Sequence, residues 1–209
     1  MRIGLVLGAG GIVGGSWLVG ALEALESETG WSPSDAEIIC GTSAGSVVGA
    51  LTAQGLSPAL MAAYIGGGSL DEVEELAEQS QHTAARMAGE ETRYRLQRAL
   101  PPIGPGSWRM AVSTLLNPMS HAPSALMAGW LPRGFISTKP ISELVERFVE
   151  TDWPAHPNFW TVAADYGSGK RVVFGRSDAP NARVGDAVAA SCAIPSFYHP
   201  VKIAGKRYV

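Results

Sequence analysis

The chain has 209 residues, and its 16 Lys and Arg against 19 Asp and Glu leave a net charge of −3, which excludes the basic footprint of a nucleic-acid binder. Hydrophobic residues make up 46% and charged residues 17%, so the chain can pack a core and is not intrinsically disordered. This length fits a single α/β domain spanning 1–209, and Cys40 and Cys192, each in an apolar run, read as reduced thiols of a cytoplasmic protein.

In chain order, Ile3-Gly4-Leu5-Val6-Leu7 is too short for a secretion signal and breaks into glycines; residues 3–8 read as a fully buried strand. From Ser16, Leu18, Ala21, Leu22 and Leu25 recur at helical spacing as far as about Glu28, and Gly30 ends the helix. Glu37-Ile38-Ile39-Cys40 is the second strand, and Ala44, Val47, Val48 and Leu51 mark a second helix closed by Gly55. The uncharged run from Ile38 to Leu70 is broken by Gly, Ser and Pro, so it fits strand, turn and helix better than a membrane span. Ser69-Leu70-Asp71-Glu72 has capping-box spacing and opens a charged helical region through about Leu100. Ile141, Leu144, Val145 and Phe148 predict an amphipathic helix with Pro140 in its first turn. Residues 160–164 and 171–174 predict strands joined at Gly167-Ser168-Gly169, and a hairpin turns at Ala204-Gly205.

Two turns carry chemistry. Gly41-Thr42-Ser43-Ala44-Gly45 fits Gly-x-Ser-x-Gly between a predicted strand and a predicted helix. Such a turn forces the serine backbone into strain and lifts its hydroxyl above the sheet, while Gly41 and Gly45 remove side chains that would clash. Gly8-Ala9-Gly10-Gly11-Ile12-Val13-Gly14 also links strand to helix. As a dinucleotide loop it fails, because Val13 holds the third glycine position and no acidic residue ends the second strand. As an oxyanion hole it needs only bare N–H groups near the nucleophile, and Gly10 and Gly11 supply them.

With Ala190-Ser191-Cys192-Ala193-Ile194-Pro195 near the other end, these motifs make the chain resemble the patatin-like lipid acyl hydrolases. The resemblance spans essentially the whole chain. It implies a three-layer α/β/α fold with a mainly parallel sheet and a nucleophile elbow after the second strand. It also implies hydrolysis of fatty-acyl esters of phospholipids or other glycerolipids through an acyl-serine, with no metal and no cofactor. By position, Ser43 is then the nucleophile and Gly10 and Gly11 the oxyanion donors. Ala9 stands where the family usually has glycine and Val13 where it often has Lys or Arg; backbone donors survive both changes. Ser191 and Pro195 belong to the pattern without an assigned chemical role.

In the family a Ser-Asp dyad supplies the base from an Asp-Gly-Gly or Asp-Gly-Ala motif, and this sequence contains no Asp-Gly. The resemblance would put that aspartate directly after Val209. The expectation is therefore of a domain incomplete at its C-terminus, nearly inactive alone unless a C-terminal fragment supplies the acid. Asp165 reads as a turn-capping carboxylate and Asp186 as an N-cap. His199, with either, would make an ordinary Ser-His-Asp esterase; the early position of Ser43 and the adjacent Pro200 weigh against that. His82, His121 and His156 read as surface or loop residues without metal-ligand spacing. A non-catalytic lipid- or partner-binding member of the same fold is the other alternative. Pro101 to Pro132, with Arg109 its only formal charge and with Trp108 and Trp130, reads either as core or as a lid meeting lipid at a membrane edge.

Overall fold

The computed structural model describes residues 2–66, 105–116 and 130–209. In order these form β1 (Gly4–Leu7), α1 (Gly11–Thr29), a 3-10 turn (Pro33–Asp35), β2 (Ile38–Gly41), α2 (Ala44–Ala53) and α3 (Pro58–Gly66). Then come α4 (Trp108–Leu116), α5 (Lys139–Phe148), β3 (Phe159–Ala164), β4 (Arg171–Phe174), α6 (Val184–Ser191), β5 (Val201–Ile203) and β6 (Lys206–Tyr208). The main sheet runs β1-β2-β3-β4, parallel except for the last, antiparallel pair. This is an α/β architecture with a mainly parallel sheet, consistent with the expected three-layer arrangement. The expected helix from 69 to about 100, with its capping box, lies outside the described residues, as do His82 and His121.

Because β1 and β2 are parallel and each leads directly into a helix, α1 and α2 both begin at the carboxyl edge of the sheet. They pack closely there: a Cβ on Gly15 would stand 3.7 Å from the Ala44 Cβ. α1 starts at Gly11, ahead of the expected Ser16, even though glycine is a poor helix former. Its far end matches expectation, with left-handed Gly30 (φ 67°) donating its N–H to Glu26 O at 2.8 Å.

α2 covers one face of the sheet. A Cβ on Gly49 would lie 3.2 Å from Phe159 and 3.4 Å from both Ile39 and Leu7, so a small residue here lets the helix sit down on three strands. Ile39, Val48, Val145, Phe148, Phe159 and Val188 join β2, α2, α5, β3 and α6 in one core. Each such side chain contributes roughly 1.5–3 kcal/mol when fully buried. Strand β1 corrects the sequence reading. Only Leu7 of it is buried and Val6 is 82% exposed, because β1 is the edge of the described sheet and its outward face is uncovered among the described residues.

The β3–β4 turn is held by Asp165, whose Oδ1 accepts from the Gly167 N–H at 2.7 Å and the Ser168 N–H at 3.2 Å, the capping role expected of it. β5 and β6 turn at Ala204 (φ 47°) and Gly205 (φ 79°). The hairpin then docks on the end of β3: the Ala164 N–H donates to Val209 O at 2.7 Å and the Val209 N–H to Ala164 O at 2.9 Å. Asp186 is not an N-cap; Arg183 precedes α6, and Asp186 sits in the first turn, where a carboxylate favours the helix dipole. His156 lies in the loop before β3, as expected, and is half-buried there. It accepts from the Asn158 N–H at Nδ1 (3.2 Å), which makes Nε2 the donor to Ala36 O (2.7 Å). No helix among the described residues is long and apolar enough to cross a membrane.

Candidate active site

The turn between β2 and α2 puts Ser43 at φ 54° and ψ −121°. A positive φ at a residue bearing a Cβ costs about 1–3 kcal/mol, so the surroundings must impose it. They do so through close backbone packing. A Cβ on Gly41 would overlap the backbone of Gly45 and Ser46, and one on Gly45 would overlap Leu7 and Gly8. Neither position can hold any other residue without moving main chain.

That packing ties the two glycine turns together. The Thr42 N–H donates to Leu7 O at 3.0 Å, and the Gly45 N–H reaches Gly8 O at 3.1 Å. Gly10 precedes α1 and accepts the Gly14 N–H at 2.9 Å; a Cβ on Gly10 would stand 2.6 Å from the Gly14 Cα. Gly11 is left-handed at φ 59°, and it lines the same cavity as Ser43.

Ser43 is held from the other side by the end of α6. Its N–H donates to Ser191 Oγ at 2.8 Å, and that hydroxyl donates to Val162 O at 2.6 Å. Its carbonyl accepts from Ser46 Oγ at 2.6 Å and from the Ser46 N–H at 2.8 Å. The buried Cys192 thiol lies beside Ser43 and Ser46, and burial pushes its ionisation up to about 11. A thiol with that pKa stays protonated near neutrality and does not act as a base. Sequence reasoning left Ser191 without a role and missed Cys192 as a neighbour of Ser43. The signal was their place at a helix end in Ala190-Ser191-Cys192-Ala193, but only tertiary contacts bring that end to the elbow.

The other candidates lie elsewhere. Asp165 is occupied in the β3–β4 turn and lies 3.9 Å from Lys206 Nζ. Asp186 and His199 share a second cavity of about 490 Å³, whose wall does not include Ser43.

The cavity that Ser43 faces has a volume of about 640 Å³, in the range of sites for small organic ligands. Its wall is almost entirely apolar. α2 contributes Ala44, Val47, Val48 and Leu51, one helical face. Across it stand Val19 of α1 and Ile141, Leu144 and Phe148 of α5. Ile12 (82% exposed), Ile194 and Phe197 (52% exposed) stand at the opening. A hydroxyl on a strained turn that opens into an apolar cavity can attack an ester whose hydrocarbon part lies in that cavity.

Two comparisons with known proteins bear on this arrangement. Residues 5–209 match the family model described as Patatin-like phospholipase. No curated protein matches the chain.

Proposed function

The chain belongs to the patatin-like phospholipase family, a family of lipid acyl hydrolases, and on that premise we propose that it cleaves fatty-acyl esters of glycerolipids with Ser43 as nucleophile. The observation that carries this reading is the position of Ser43, at positive φ on a strand-to-helix elbow and in the wall of an apolar cavity. Ser43 Oγ bonds to the ester carbonyl carbon as a carboxylate takes its proton. The oxyanion that forms is met by the N–H groups of Gly10 and Gly11, each such donor worth roughly 2.7–4 kcal/mol. Collapse expels the alcohol with that proton, and water then releases the fatty acid from the acyl-serine.

The carboxylate is proposed to arrive along the line of β6, from the continuing chain or from a second fragment. The support is register. Val209 pairs with Ala164, so a further residue on that ladder runs beside Ala163 towards Val162, whose carbonyl already holds the Ser191 hydroxyl. Contact with a lipid surface is part of the proposal, supported by the exposed apolar side chains of Trp108, Leu115 and Leu116 on α4 and of Ile194 and Phe197 at the cavity opening. The free thiols of Cys40 and Cys192 fit a cytoplasmic setting.

A fluorophosphonate probe tests the nucleophile. Labelling of the 209-residue chain, or of the chain extended beyond Val209 by Asp-Gly-Gly, is expected to be lost in Ser43→Ala. Absence of labelling in both would overturn the hydrolase reading. It would favour a lipid-binding, non-catalytic member of the same fold.

A further inference from the structure

The cavity has a direction. α1 and α2 run side by side from the carboxyl edge, and the residues they give to its wall extend from Gly11 to Val19 on one and from Ala44 to Leu51 on the other. α5 adds Ile141, Leu144 and Phe148 over a similar length. At the Ser43 end the wall is open, with Ile12, Ile194 and Phe197 exposed. Away from Ser43 the described wall is made largely of core residues: Leu56 is 2% and Met61 3% exposed, and the Tyr64 ring meets Phe148 edge-on at 6.0 Å, while Ile65, also in the wall, is 50% exposed.

We propose that this trough is an acyl-length gauge, in which Leu51, Leu56 and Met61 stop the methyl end of a chain whose carbonyl lies at Ser43. The proposal rests on Ser43 being the nucleophile, and it adds which acyl chains the site prefers. The occupant follows from chemistry and depth. The polar side chains of the wall are Ser16, Ser43, Tyr64, Cys192 and Tyr198; Ser16 Oγ is bonded to Ile12 O at 3.1 Å and the remainder is aliphatic, phenyl or glycine, so mainly hydrocarbon is matched along the interior.

At 1.5 Å per residue, the run from Ala44 to Leu51 measures roughly 10 Å. An extended chain of tetrahedral atoms advances about 1.2 Å per bond, so the trough takes roughly eight to ten carbons before its tip meets the core residues at the far end. A longer chain must bend or leave part of itself in water.

Calorimetric titration of the 209-residue chain with saturated fatty acids, hexanoate through hexadecanoate, tests this without any need for turnover. Affinity is expected to rise about fourfold per methylene, the factor equivalent to burying one such group, up to about decanoate and then to level. Leu51→Trp fills the far end and is expected to bring the plateau down by two or more carbons, to roughly octanoate or below. Met61→Ala deepens it and should move the plateau to longer acids, so the two variants shift it in opposite directions. Melting curves confirm that each variant is folded. Affinity independent of length, or a plateau that neither folded variant moves, would overturn the gauge. Fluorophosphonate labelling of Ser43 is independent of length preference, so loss of the gauge and loss of the nucleophile are separate outcomes.

Discussion

The backbone N–H of Ser43 and the side chain of Ser191 are joined by a 2.8 Å hydrogen bond that links residues 148 positions apart. The same hydroxyl continues to Val162 O, so a single oxygen connects the elbow, α6 and β3. Ser191→Ala leaves a donor and an acceptor without this partner, a loss of about 1–3 kcal/mol. It should also slow fluorophosphonate labelling of Ser43 by roughly ten- to a hundredfold, because small misplacements of a reacting group are costly. Ser191→Thr, which keeps a hydroxyl, should recover part of the labelling rate. Equal labelling in wild type and Ser191→Ala would show that the bond does not position the nucleophile.

Glycine substitutions separate two kinds of position. Gly45→Ala forces a methyl into the Leu7 and Gly8 backbone, and a loss of roughly 3 kcal/mol or more in denaturant unfolding is expected. Gly20→Ala, in the middle of α1 with nothing within 4 Å of the new carbon, should stabilise by about 0.5–1 kcal/mol. A tolerated Gly45→Ala would contradict the close approach of the two turns.

Cys192 gives the fold a dependence on alkaline pH. Its thiol ionises near 9.0 when unburied and at about 11 in the folded protein, so between those values the folded state holds the proton more tightly. Stability is thus fully present below pH 9 and falls as the pH rises towards 11, by roughly 2–3 kcal/mol for this group. Comparing Cys192→Ala with wild type over this window isolates the contribution, since Tyr166 and Tyr208 are raised in the same direction. The difference in unfolding free energy between the two proteins should shrink across the window; a constant difference would refute the assignment.

Trp108 is 64% exposed at the start of α4, and Trp130 is also exposed. If this surface meets lipid, their fluorescence should move to shorter wavelength on adding phosphatidylcholine vesicles. Trp108→Phe should remove much of that change. A spectrum that vesicles leave untouched argues against lipid contact at either residue.

Extending the chain beyond Val209 by Asp-Gly-Gly should raise hydrolysis of a short-chain nitrophenyl ester by roughly 100- to 10,000-fold over an Asn-Gly-Gly extension, the range for a positioned general base. Equal rates from the two extensions would remove the β6 route for the acid.

Local signals made much of the fold legible. Ile38 to Cys40, the α2 pattern of Val47, Val48 and Leu51, Pro140 at the start of α5 and the Ala204-Gly205 turn were all readable because neighbours in sequence determine them. What escaped depends on distant partners. Nothing within β1 distinguishes a central from an edge strand, so the 82% exposure of Val6 came only with the sheet order. The N-terminal residues of α1 run against glycine's intrinsic preference, so the local pattern placed the start later, at Ser16. Around Ser43, the motif reading named the elbow and the glycine turn, but the Ser191 strap and the wall from α5 are contacts across more than 90 residues that no local pattern carries.

The trough behind Ser43 opens, among the described residues, beside Ile12, Ile194 and Phe197. Under the proposed hydrolysis, a fatty acid freed inside it would back out past Gly11 and Ile12 before another ester could enter, and each extra methylene held against Val48 or Leu51 would slow that exit. On the proposed gauge, egress rather than bond cleavage would govern turnover for the chains that fit best, and the tightest occupant would become the slowest product.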